Sequence, residues 1–219
     1  HPLPDGGPSM AEMIGHYEAI VAAAGGPAAY ARRELGLVPA WLERWPAPLQ
    51  AQHIYFYSEI MQTREHSPIA GELKHLMARV SALCLDHDHL AAVEGYLAWR
   101  AAGADDRAAL RVRRAYLAAA GRDADDDLFS TRERAALQLA RVSAQQPLTT
   151  PRRFVAPAVE HFSPTELIHL ITACAVAGLV QRFAAILRPA LEPEVAEFLR
   201  ARAIPLAGLA NRYPTAEGA

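Results

Sequence analysis

The sequence predicts an all-α protein, and three observations carry that expectation. Helix-start grammar recurs along the chain: Ser9…Glu12, Ser130…Glu133 and Ser163…Glu166 each place a hydroxyl at the N-cap and a carboxylate three residues later, so that each satisfies a backbone N–H of the other. The segments between these starts are rich in Ala, Leu, Arg and Glu, with apolar residues every three or four positions. Nothing of useful length alternates with period two. The short run Ile54-Tyr55-Phe56-Tyr57 lies inside a helical pattern, so a sheet is not required.

In chain order, the opening His1-Pro2-Leu3-Pro4-Asp5-Gly6-Gly7-Pro8 has the composition of a disordered lead-in, with Met10 as a natural start. It has neither the basic start nor the apolar centre of a signal peptide. Helices are expected near residues 9–24, 27–34 and 47–64, then over 67–102, either continuous or broken near 84–88. Ser67-Pro68, Thr150-Pro151 and Ser163-Pro164 follow a cap-then-proline pattern that suits a helix start. Gly103 before Ala104-Asp105-Asp106 reads as a stop and a new N-cap, giving a helix near 105–119. Gly121 to Asp127 is a polar, acidic connector. Helices near 130–145, 150–161, 163–188 and 192–203 follow. In the first of these Ala135, Ala136, Leu139, Ala140 and Val142 share one arc, and only Leu137 falls on the polar side. This gives a lead-in over 1–8, one all-α domain over 9–204 and a C-terminal tail over 205–219.

The chain has 219 residues, 22 Lys+Arg against 24 Asp+Glu, a formal net charge of −2 and 52% hydrophobic residues. A chain of this length can bury roughly 70% of its unfolded surface. A near-neutral surface without runs of like charge offers no general attraction for a phosphate backbone or an anionic bilayer, so neither nucleic acid nor membrane is an expected partner. Two cysteines, Cys84 and Cys174, make no disulfide framework and no four-thiolate zinc site, which fits a reducing cytoplasm. The apolar stretch Leu167 to Val180 carries His169 and Thr172, falls short of a membrane span and reads as a buried core helix.

The densest group of ionisable residues is Cys84-Leu85-Asp86-His87-Asp88-His89, preceded on the same apolar run by Glu72 and His75. Adjacent turns of such a helix end can supply a nucleophile, an acid and a base. The plainer alternative has Asp86 and Asp88 solvated, Cys84 packed as a small hydrophobe and the histidines bonded to local carbonyls. His16, His53, His161 and His169 fit structural roles within helical patterns, and Trp41, Trp45 and Trp99 fit core or interface positions. Cys174, within Thr172-Ala173-Cys174-Ala175-Val176, fits core packing.

Leu37-Val38-Pro39, Trp41-Leu42, Ala47-Pro48-Leu49, the run from Glu72-Leu73 to the Cys84 cluster, Leu128 to Leu137, and Phe162 to Leu167 with Gln181-Arg182-Phe183 occur in a telling order. That order resembles the alkylhydroperoxidase D and carboxymuconolactone decarboxylase superfamily over roughly residues 35–190. The resemblance implies a helical fold, homo-oligomers such as trimers or hexamers, and an active site around the helix that carries the cluster. In the peroxidase branch a glutamate is followed twelve residues later by Cys-x-x-Cys, and four residues on by a histidine. Glu72 and Cys84 keep the first spacing, but His87 stands at the second cysteine position and Ala91 at the relay-histidine position. A disulfide cycle between those two positions cannot run. His89 is the nearest substitute for the relay, about 200° around a continuous helix. The stretch from Cys84 to Gly103 is also about one turn longer than the resemblance suggests.

These departures favour the decarboxylase branch, whose resemblance implies non-redox acid and base chemistry, of lyase or isomerase type, on a small anionic organic substrate. Glu72, with His87 or His89, would carry protons, and Cys84 would line the pocket. A thiol-dependent peroxidase using Cys84, activated by His87 at i+3 if the helix continues, is the alternative. A metal held by Glu72, His75 and His87 or His89 is a third reading, and a non-catalytic helical scaffold a fourth. No cofactor is expected, and the motifs include no metal-ligand pattern of recognised spacing.

Overall fold

The computed structural model describes residues 7–123, 127–144 and 152–205. Ten α-helices follow one another among them: α1 (Met10–Ala23), α2 (Pro27–Leu35), α3 (Ala47–Met61), α4 (Gly71–Cys84), α5 (Asp88–Ala101), α6 (Asp106–Ala119), α7 (Thr131–Ser143), α8 (Arg152–His161), α9 (Pro164–Leu187) and α10 (Pro193–Ala201). A 3-10 turn, Leu42–Arg44, precedes α3. No strand occurs among the described residues, so the all-α expectation holds. Residues 1–6, 124–126 and 206–219, with Thr150-Pro151, fall outside them; the lead-in, most of the tail and part of the acidic connector therefore stand as expectations.

All three capping boxes form, at Ser9, Ser130 and Ser163, and Asp105 caps α6 by accepting the Ala108 N–H. Ser67-Pro68 does not open a helix. Ser67 turns its hydroxyl to the Ile69 carbonyl, and α4 begins only at Gly71. The reason is crowding: a Cβ at Gly71 would lie 2.8 Å from the Thr63 backbone nitrogen, and the Gly71 N–H donates to Thr63 Oγ1. Glycine lets the start of α4 pass the end of α3. The long run expected over 67–102 is two helices. Asp86 adopts the left-handed conformation (φ +54°) and the His87 N–H closes on the Ala82 carbonyl, so α5 turns back along α4.

Helix α4 is the axis of the molecule, packed against α5, α6, α7 and α9. Eleven of its fourteen residues are buried, including Lys74, His75, Arg79 and Ser81. Burying such groups is costly unless each is hydrogen-bonded, and each is. Lys74 Nζ donates to the Ile60 and Gln62 carbonyls at the end of α3. His75 bonds Glu94, Arg79 donates to the Val112 and Ala91 carbonyls, and Ser81 accepts from Gln181. The polar residues of the central helix thus tie it to its neighbours.

Two expectations about side-chain placement are corrected. Leu137 is fully buried, because α7 is covered by α4, α6, α8 and α9 together and has no wholly polar side there. Helix α9 is not a wholly buried core helix. It buries Leu170, Ala173, Val176, Ala177, Val180, Gln181 and Ala184 but leaves Ile168, Ile171, Leu179 and Ile186 exposed. At 24 residues, with an 18-residue stretch of mean hydropathy 1.9, it is long and apolar enough to cross a membrane by length and composition.

Candidate active site

Glu72 lies in the first turn of α4 and Cys84 at its last residue. Twelve residues at 1.5 Å each separate them by about 18 Å along the axis. Glu72 accepts from Arg111 Nε at 2.6 Å, and the same guanidinium reaches Glu133 at 2.5 Å, the Leu128 carbonyl and the face of Phe129. Within one chain, therefore, Glu72 belongs to a junction of α4, α6 and α7 and does not join the Cys84 cluster.

His75 is also removed from that cluster. Its Nδ1 lies 2.7 Å from Glu94 Oε2, Tyr57 donates its hydroxyl to Glu94 Oε1 at 2.8 Å, and Gln62 Nε2 lies 3.1 Å from His75 Nε2. His75 and Glu94 are fully buried. Glu72 and His75, the pair considered for a metal, face different partners, and no three His, Cys, Asp or Glu among the described residues are grouped to hold an ion.

The remaining candidates converge where α4 ends and α5 begins. Helix α4 stops at Cys84, so His87 is not on a continuing helical face with that thiol; it is the N-cap of α5 instead. His87 Nδ1 accepts the Leu90 N–H at 3.3 Å, which assigns the proton of the neutral ring to Nε2. Burial lowers its pKa, with a smaller push from His89, against opposing backbone contacts at His87 and Gln181. Burial raises the Cys84 thiol pKa despite the nearby charge of Arg141. An activated nucleophile needs the opposite shift. Cys174, bonded to Ser143, is pushed by burial to about 11.

His89 sits 6.3 Å from His87, ring centre to ring centre, because the turn at Asp86 removes the continuous helix on which the two would face apart. Its Nε2 lies 3.2 Å from the Ala190 carbonyl and 3.6 Å from Glu192 Oε2. A carbonyl only accepts, so Nε2 carries the proton and neutral His89 keeps its lone pair on Nδ1. That atom is buried and has no hydrogen-bond partner among the described residues; the same is true of Gln181 Oε1. Gln181 is anchored by its amide nitrogen on Ser81 Oγ, one turn before Cys84.

Glu192 and Gln181 are the components that sequence reasoning left without a role. Glu192 had a signal. It occupies the N-cap of α10 before Pro193, where Ser, Thr, Asp or Asn is preferred, and makes no cap bond. Its carboxylate instead accepts the Ala40 N–H at 2.7 Å and lies beside His89. A glutamate standing where a cap belongs is a side chain engaged elsewhere. Gln181 had only its place in Gln181-Arg182-Phe183, one of the segments that carry the resemblance, which gave it no role.

No protein-family model matches the sequence, and no curated protein does. Among solved structures, the debrominase Bmp8 shares the fold. A Bmp8 C-to-A variant in complex with 2,3,4-tribromopyrrole superposes with a TM-score of 0.66 at 17% identity, over 80% of this chain and 89% of that one. Apo Bmp8 gives 0.63 at 15% identity, over 83% and 92%. The chain therefore has a helical, alkylhydroperoxidase D-like fold, shared with an enzyme that acts on a small organic molecule.

Proposed function

We propose that the protein is an enzyme that moves a proton on a small organic substrate, with His89 as the proton carrier. The observation that carries this reading is the geometry of His89: Nε2 held by Ala190 and backed by the Glu192 carboxylate, Nδ1 buried with its lone pair unused. A carboxylate behind an imidazole fixes its tautomer and stabilises the imidazolium that forms when the other nitrogen takes a proton. His87 keeps the neighbouring position uncharged, since a lowered pKa leaves it neutral near pH 7. Cys84 lines the same end of α4 as a protonated thiol. Lyase or isomerase chemistry of the carboxymuconolactone decarboxylase type, on a small organic anion, suits this set.

The test offers γ-carboxymuconolactone and related small lactone acids to the protein and to His89→Ala, Glu192→Gln and Cys84→Ser. Turnover falling about 10²–10⁴-fold in His89→Ala, falling less in Glu192→Gln and persisting in Cys84→Ser is the expected pattern. Turnover indifferent to His89 would end this assignment.

The fold shared with a debrominase favours one second reading, in which Cys84 acts as a thiol nucleophile. Bromide release from 2,3,4-tribromopyrrole, or hydroperoxide consumption, with a dithiol reductant and abolished by Cys84→Ser would establish it instead.

A further inference from the structure

Helices α3 and α9 pack against each other. Trp45, just before α3, stacks on Phe183 in the second half of α9, rings 4.3 Å apart and 9° from parallel. Nearer the start of α9 the two helices border a cleft of about 330 Å³, on the scale of small-molecule sites. Tyr55, Phe56 and Glu59 of α3 form one wall, Ile168 and Thr172 of α9 the other, and Tyr17 of α1 closes the end. Tyr17 and Tyr55 stack at 4.5 Å, so the pair presents a fixed aromatic surface. Beside the cleft Phe56 is 51% and Ile168 65% exposed. Exposed apolar side chains gathered around a concavity mark a place that binds something.

The chemistry of the walls narrows the occupant. Glu59 is the one carboxylate among the described residues lining the cleft, which the imidazoles of His66 and His169 also line. One of its oxygens lies 2.8 Å from Arg64 Nε, and the other 3.9 Å from His66 Nε2. A carboxylate oxygen beside tyrosine and phenylalanine rings suits a cation carried on an apolar body, since ring faces and carboxylate attract the same charge. We propose that this cleft binds a small aromatic amine, its ring against Tyr55 and Phe56 and its ammonium toward Glu59. The site is separate from His87 and His89 and does not depend on the reaction assigned to them.

The experiment is calorimetric titration of the full chain with three probes that differ in charge: tyramine, 4-ethylphenol and 3-(4-hydroxyphenyl)propionate. Tyramine should bind about three- to tenfold more tightly than 4-ethylphenol, and the anion more weakly than either. Glu59→Gln should erase the tyramine preference while leaving 4-ethylphenol binding in place. Thr172→Trp, which fills the cleft from the rim, should abolish binding of all three, and circular dichroism melting would show that it folds. Equal or tighter binding of the anion overturns the proposal, as does tyramine binding that survives Thr172→Trp. If binding is absent and Ile168→Glu dissociates an oligomer, the cleft is covered by a second copy of the chain and the proposal fails.

Discussion

His87 uses Nδ1 to accept the Leu90 N–H, so a proton on that nitrogen removes the cap of α5. The fold therefore holds the ring neutral, and its pKa lies below the unfolded value. Between those two pKa values the unfolded chain binds more protons than the native one, so stability falls as pH drops below about 6.5, the ordinary histidine value. His87→Asn keeps a capping oxygen without the titration. Thermal melts from pH 7.5 to 5 should show a smaller drop in midpoint for this variant than for the unaltered protein; parallel curves would remove His87 as the source. Cys84, His87 and His89 were legible as a cluster because they crowd into six residues. Glu192 was not, because a residue over a hundred positions away becomes a neighbour only through the packing of α10 and the chain before it. Glu72 shows the opposite case, since a spacing kept in sequence places it about 18 Å along a straight helix from the thiol.

Arg111 shows how a junction between helices is built from one side chain. Its nitrogens serve Glu72 of α4, Glu133 of α7 and the Leu128 carbonyl, with Phe129 beneath the guanidinium. Arg111→Met keeps much of the apolar bulk but leaves two carboxylates and a carbonyl short of a donor. Urea unfolding should show a loss of about 2–4 kcal/mol. Glu72→Gln retains an acceptor and should cost less, while leaving any activity at His89 intact. Loss of activity in a stably folded Glu72→Gln protein would return that carboxylate to the active site. Helix boundaries were well marked where a capping box stood, as at Ser130 and Ser163, because the signal is local backbone chemistry. Ser67-Pro68 carried a similar signal and failed, since the crossing of α3 and α4 at Gly71 decides where the helix can begin. Local grammar proposes a start, and the space available accepts or refuses it.

For the whole molecule, the exposed side of α9 sets the expectation for assembly. Ile171 and Leu179 lie four residues to either side of exposed Ala175. An antiparallel pair of α9 helices crossing at Ala175 would set Ile171 of each copy against Leu179 of the other, with the small residue allowing close approach. Light scattering should then give a mass above the 23.8 kDa of one chain, and Ile171→Glu should lower it. A mass of one chain at all concentrations would refute self-association on this face. The sequence conveyed the all-α class through periodicity, yet not this surface, because an apolar helix reads the same whether its second side meets the core, solvent or another copy.

The buried hydroxyl of Tyr57, committed to Glu94, has an optical consequence. Burial and the adjacent carboxylate raise its pKa well above the ordinary phenol value. Added base ionises solvent-facing phenols while the chain is still native, so their ultraviolet difference signal rises first. Tyr57 contributes to that signal only after the helices around it separate, and its late step reports global opening without an added dye or label.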